Sequence, residues 1–315
     1  MKVPFLLVVA TIVMETACGR PASDRATDVA PDSGTIGVDN TSIRYVVEGA
    51  GRPCLVFGSP IYYPRTFSAT FKSRFRCVHM QQRGFVADAP PPTSGRYSVD
   101  LAVADIEAVR RAVGLDRFVL FGHSMHGTVA LAYALAHPDR VAAVIAIGAP
   151  AAFDSSLTTA AAAYWDQEAT PGRKAAHRES LAALTADSLQ RLAPGAAVVA
   201  TYVANRAQYW ADSTYDASSL WADMTPNPTL IFQLFDFANP YRFPTIVADL
   251  PPALVVLGRF DFVVPPTVWE GAAHPFGQLT TVVFERSGHT PQLEEPIAFD
   301  AKIAEWLAAV APAKD

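Results

Sequence analysis

Cysteine is scarce: three in 315 residues, at positions 18, 54 and 77, too few for a disulfide-built scaffold. His, Cys, Asp and Glu nowhere recur at metal-ligand spacing, so neither a metal nor a cofactor is expected. Charge is sparse as well. The 25 Lys and Arg against 30 Asp and Glu leave a net charge of −5, and no basic cluster interrupts that balance, which argues against a nucleic-acid partner. Internal repeats are absent, and the apolar run at residues 4–14 is too short to span a bilayer as a helix. What is present is apolar: hydrophobic residues make up 50% of the chain, which suits one large globular unit with an inserted lid.

The N-terminus reads as an address rather than as part of the fold. Lys2, the short apolar run and the small residues Ala17-Cys18-Gly19 have the layout of an export signal. Glu15-Thr16-Ala17-Cys18 resembles a bacterial lipobox, in which the cysteine is lipidated after cleavage, although Glu15 stands where that motif prefers Leu. Residues 1–18 are therefore expected to be a lipoprotein-like signal, with an ordinary cleaved signal as the alternative. Residues 19–33 are expected to be a flexible tether. The protein is then exported, either to the periplasm or to a membrane surface through a lipid on Cys18. Cys54 and Cys77 each open an apolar, strand-like run. If those strands are parallel neighbours the sulfurs can bond, since export permits it; otherwise they are two small buried side chains.

Further along, residues 35–38 and 42–47 flank Asp39-Asn40 as a β-hairpin. Short apolar runs at 54–57, 77–80, 118–121, 141–147, 253–257 and 281–284 read as strands. Amphipathic helices are expected at 98–113, after residue 124, and at 296–310. Strands alternating with helices imply right-handed βαβ units and a mostly parallel sheet flanked by helices. The alternation lapses from 154 to 240, an Ala-rich helical stretch carrying Trp165, Tyr202, Tyr209, Trp210 and Trp221. It reads as a helical cap whose aromatic residues line a pocket or simply fill the cap's own core. The core is thus expected at 34–153 and 241–315.

The chemistry gathers at three places. Strand 118–121 runs into Gly122-His123-Ser124-Met125-His126-Gly127 and then a helix, the strand–turn–helix context of a nucleophile elbow. A serine hydroxyl needs a base and a sharp turn to act as a nucleophile, and the helix N-terminus favours negative charge beside it. The usual elbow is Gly-x-Ser-x-Gly; here His126 takes the last Gly position, which requires a neighbouring strand that leaves room for it. His289, in a loop just past strand 281–284, is the expected base, by context and by elimination among the seven histidines. Asp261, after strand 253–257, is the expected carboxylate that orients it, with Asp154 the runner-up and helix capping the non-catalytic role for Asp261. The expected oxyanion donors are the backbone N–H groups of Met125 and Ser59; Pro60 has none to give.

Residues 119–150, 258–265 and 284–296 together resemble the α/β-hydrolase superfamily, most of all its proline-iminopeptidase-like branch. Ser287-Gly288-His289-Thr290-Pro291 and Gly258-Arg259-Phe260-Asp261 carry that likeness. The family's His-Gly-Gly-Pro loop stands here as Phe57-Gly58-Ser59-Pro60, and its Asp-x-Arg-Gly as Gln81-Gln82-Arg83-Gly84. The resemblance implies an α/β-hydrolase fold with an eight-stranded sheet. The first of these departures, and the elbow, where that branch typically has Gly-Gly-Ser-Trp-Gly, weigh against true proline-iminopeptidase specificity. The triad implies acyl transfer to water from a small-molecule or short-peptide substrate: a small ester or lactone first, an N-terminal aminoacyl group second. The aminopeptidase reading needs cap carboxylates for the substrate ammonium, with Asp166, Glu168, Asp212, Asp216 and Asp223 as candidates. Serine at the nucleophile position argues against dehalogenase and epoxide-hydrolase chemistry, and a non-catalytic binding protein of the same fold is the rival class.

Overall fold

Runs of β-branched and aromatic residues, punctuated by Gly and Pro, build one eight-stranded sheet in the order β1-β2-β4-β3-β5-β6-β7-β8. A computed structural model describes residues 33–238, 240–244, 250–272 and 274–312. The expected signal, Cys18 and the tether up to residue 32 lie outside the described residues. Ser33, read from sequence as the last tether residue, instead opens β1 (Ser33–Val38), because it pairs with Val46 of β2 (Thr41–Glu48). The two strands are antiparallel about Asp39-Asn40, and Asp39 takes the left-handed conformation (φ 53°) that a tight turn needs.

From there the chain alternates: β3 (Arg52–Gly58), α1 (Ala69–Arg74), β4 (Phe75–Gln81), α2 (Val99–Ala112), β5 (Phe118–His123), α3 (Met125–Ala136) and β6 (Val141–Ile147). Helices α4 (Ser155–Glu168), α5 (Pro171–Ala182), α6 (Ala186–Gln190), α7 (Pro194–Ala204), α8 (Arg206–Tyr209), α9 (Ser218–Trp221) and α10 (Pro228–Leu234) follow without a strand among them. Strands β7 (Ala253–Gly258) and β8 (Leu279–Phe284), then α11 (Pro291–Glu294) and α12 (Pro296–Val310), complete the described fold. From β4 through β8 every sheet contact is parallel, while β1–β2 and β2–β4 are antiparallel. The fold is the α/β-hydrolase fold expected from sequence.

The central strands are buried on both faces, which is why they read as unbroken apolar runs rather than as alternation. Helix α2 shows the opposite pattern: Ala102, Ile106 and Val109 face the core, and Ser98 caps its N-terminus by accepting from the Leu101 N–H. Cys54 and Cys77 are register partners on the parallel strands β3 and β4, their Cα atoms 4.4 Å apart, and they form a disulfide.

One buried ion pair ties the hairpin, the loop after β4 and α2 together. Arg83 donates from Nε and Nη2 to both carboxylate oxygens of Asp105 at 2.8 and 2.7 Å, and from Nη1 to Asp39 at 3.0 Å. Arg83 and Asp105 are both fully buried. Removing Asp105 leaves the buried guanidinium with Asp39 as partner for Nη1 but nothing for Nε and Nη2, so Asp105→Ala is expected to destabilise the fold by about 3 kcal/mol, the lower end for breaking a buried pair. Urea unfolding of the variant checks this, and an unchanged midpoint would count against it.

Candidate active site

Ser124 sits at the N-cap of α3 with φ 58° and ψ −134°, a conformation that L residues rarely adopt. The surroundings over-determine it. Its N–H donates to the Ile147 carbonyl at 2.7 Å, and its carbonyl accepts from the Gly127 N–H at 2.8 Å. A Cβ on Gly122 would stand 2.2 Å from the His126 carbonyl oxygen, so only glycine closes the turn. Such strain persists where structure holds a side chain out for use. The histidine at the last elbow position is accommodated by the neighbouring strand, as the sequence requires. β3 ends in Gly58 at φ 138°, where a Cβ would come within 3.0 Å of His126 Nδ1. The close packing usual at that elbow position moves to Gly127, where a Cβ would stand 2.5 Å from Ala149 Cβ.

His289 follows β8, and Asp261 follows β7. Parallel pairing of those strands carries both loops to the same edge of the sheet. Asp261 Oδ2 accepts from His289 Nδ1 at 2.6 Å, while Oδ1 accepts from the Val263 and Val264 N–H groups at 3.0 and 2.8 Å. Both side chains are buried. The carboxylate thus fixes the protonated nitrogen of the imidazole and leaves Nε2 to the cavity. Asp154 does not compete: it caps α4 through the Ser156 N–H and pairs with Arg242 at 3.2 Å.

Ser124 and His289 line one cavity of about 850 Å³. No hydrogen bond joins the Ser124 hydroxyl to His289 Nε2; free enzymes often hold this contact loosely until substrate docks. Met125 opens α3, so its N–H has no partner in the helix. Ser59 stands directly after β3, and its Oγ accepts from the Ile61 and Tyr62 N–H groups, which sets the shape of that loop.

The helical segment between β6 and β7 furnishes much of the cavity wall. Tyr202, Tyr209 and Trp221 line it, whereas Trp210 is buried elsewhere and Trp165 packs on Phe262. Leu157, Val198, Ile231 and Phe235 make the remaining wall largely apolar. None of Asp166, Glu168, Asp212, Asp216 or Asp223 reaches it. Asp212 and Asp216 cap local turns, and Asp223 pairs with Arg65. Among the described residues that line the cavity the one carboxylate is Asp236, which is ion-paired with Arg96 at 2.5 Å.

Several participants were not anticipated from sequence. The segment around Tyr209 is bonded to both loops that carry the ionisable pair: its Gln208 carbonyl accepts from Phe262 N–H at 2.9 Å, and the Tyr209 carbonyl from His289 N–H at 2.6 Å. Gly288 permits that approach, since a Cβ there would stand 2.2 Å from the Tyr209 carbonyl oxygen. Glu294 accepts from the Gly288, Thr290 and Ala211 N–H groups, clamping the His289 loop from both sides; burial holds its carboxyl above the usual range. Backbone carbonyls are blind to residue type, so only the Glu and Gly gave a sequence signal, and it is not distinctive.

His123 and His126, flanking the serine, are both buried. Burial pushes His126 down to about 4 from an ordinary 6.5 and holds His123 well below that value, helped by neighbouring His289. Between about pH 6.5 and 4 the unfolded chain therefore binds protons that these folded imidazoles refuse, and stability contributed by the pair rises with pH across that window. Thermal unfolding should show a lower Tm at pH 5 than at pH 7, with a smaller difference in His126→Gln. Equal pH dependence in the two proteins would contradict the assignment.

The alpha/beta hydrolase fold family matches residues 53–296. The chain belongs to that family and is a hydrolase. The AB hydrolase superfamily protein YclE of Bacillus subtilis is 29% identical over 272 residues, covering 85% of this chain and 96% of its own. A proline iminopeptidase of Heyndrickxia coagulans is 26% identical over 290 residues, 84% of this chain and 93% of its own. A thermophilic esterase from Thermogutta terrifontis superposes with a TM-score of 0.61 at 24% identity, over 88% of this chain and 99% of that one, a likeness of fold.

Proposed function

We propose that this hydrolase cleaves small esters or lactones through an acyl-enzyme on Ser124, with His289 as base and Asp261 orienting it. The observation that carries this reading is the 2.6 Å Asp261–His289 bond at the cavity that the strained Ser124 also lines. Ser124 Oγ attacks the carbonyl carbon as its proton passes to His289 Nε2. The Ser59 and Met125 N–H groups receive the oxyanion, and the departing alkoxide takes the proton from His289. Water then repeats the sequence on the acyl-enzyme and releases the acid.

The apolar wall favours esters over aminoacyl substrates. An N-terminal ammonium needs an unpaired carboxylate, and Asp236, the carboxylate at hand, is already neutralised by Arg96. The protein is read as exported, periplasmic or anchored through lipidated Cys18, and a Cys54–Cys77 disulfide suits an oxidising compartment. Rates on p-nitrophenyl butyrate, a γ-lactone and proline p-nitroanilide test the substrate class. Turnover of the first two is expected. Turnover of the anilide alone would reverse the reading in favour of the aminopeptidase.

A further inference from the structure

Three side chains around the elbow form a chain of hydrogen bonds whose direction is fixed from one end. The His289 backbone carbonyl can only accept, so His123 Nε2, 2.8 Å away, carries the proton and donates. Burial keeps His123 neutral, so its Nδ1 has a lone pair. The hydroxyl of Tyr63 lies 3.4 Å from that Nδ1 and 2.8 Å from His126 Nδ1. With its one proton given to His123, the phenol oxygen accepts from His126 Nδ1–H, and every contact in the chain then joins one donor to one acceptor. His126 Nε2 is then left as a lone pair. It is buried, it has no partner among the described residues, and His126 is one of the residues lining the cavity with Ser124.

That ring stands two residues past Ser124 and packs against Gly58, at the end of the strand leading to Ser59. It therefore sits beside the two loops that flank a bound carbonyl. An unpaired buried acceptor is costly, and a substrate that supplies its missing donor recovers that cost. We propose that His126 is a specificity-determining residue, and that the preferred substrate is an ester or lactone bearing an O–H or N–H donor on the carbon next to the scissile carbonyl. The remainder of such a substrate is apolar, to match the wall. This inference rests on the hydrolase reading of Ser124.

The test compares kcat/KM for p-nitrophenyl 2-hydroxyhexanoate and p-nitrophenyl hexanoate, each corrected for spontaneous hydrolysis. The ratio between the two is then compared across variants, which cancels their intrinsic reactivity. The wild type should favour the hydroxy ester, and His126→Phe should lower the ratio about tenfold. Tyr63→Phe leaves the imidazole in place but removes the oxygen that fixes its proton, and should lower the ratio several-fold. An unchanged ratio in both variants overturns the assignment of His126 while leaving ester hydrolysis intact. A ratio that rises on substitution overturns it equally. If neither ester is turned over by the wild type faster than by Ser124→Ala, the hydrolase reading itself fails, and this inference with it.

Discussion

Replacing Ser124 by alanine is expected to lower kcat on a p-nitrophenyl ester by roughly 10⁶, the loss seen for the nucleophile of subtilisin, a comparable triad enzyme. That is about 8 kcal/mol of barrier. The substitution removes only the hydroxyl. Alanine meets the same backbone strain at φ 58° as serine does, and the Ser124 N–H bond to Ile147 is unaffected. Stability should therefore stay within about 0.5 kcal/mol of wild type. Glycine separates the two roles. Ser124→Gly should be as inactive as the alanine variant yet more stable by about 1 kcal/mol, because glycine adopts this conformation freely. Denaturation midpoints and ester kinetics on both variants check the pair of statements. A Ser124→Ala enzyme with near-wild-type turnover would remove the nucleophile from the account.

Asp261→Asn is expected to lower kcat about 10⁴-fold, for a reason specific to the geometry of this loop. Asp261 Oδ1 is held by the Val263 and Val264 N–H groups at 3.0 and 2.8 Å. In the asparagine variant those two donors fix the amide oxygen in that position and turn the amide NH₂ toward His289. The imidazole must then accept at Nδ1 and carry its proton on Nε2, facing Ser124. A nitrogen that already holds a proton cannot take one from the serine. Asp261→Ala loses the same charge that stabilises the imidazolium but does not enforce the wrong tautomer, so it should be at least as active as the asparagine form. Wild-type rates in Asp261→Asn, with Asp154→Asn impaired instead, would reassign the acid.

The parts that sequence revealed are those whose chemistry dictates residue type. A strand that runs through Gly-His-Ser into a helix is legible because the turn demands glycine and the proposed chemistry a serine. The spacing of Asp261 and His289 after apolar runs is legible because parallel strands deliver their C-terminal ends to one edge. The fit of His126 was only half legible. Its bulk announced a need for space, but the space comes from Gly58, 68 positions earlier and adjacent only in the folded sheet. The anchoring of the helical segment on the His289 loop was not legible, since it runs through the Gln208 and Tyr209 carbonyls, which every residue possesses. The aminopeptidase candidates failed for a related reason: a carboxylate in a helical segment shows its charge in sequence but not the turn that it caps. The start of β1 at Ser33 rather than beyond it reflects pairing with Val46, a contact that composition does not encode.

If one serine among many is activated by one imidazole, covalent labelling reads that directly. Intact-mass and peptide analysis after exposure to a fluorophosphonate should show a single adduct on Ser124 in the wild type. The adduct should be absent in Ser124→Ala and formed at a small fraction of the rate in His289→Ala. A wild-type protein that remains unlabelled, or that is labelled on another serine, would contradict the account.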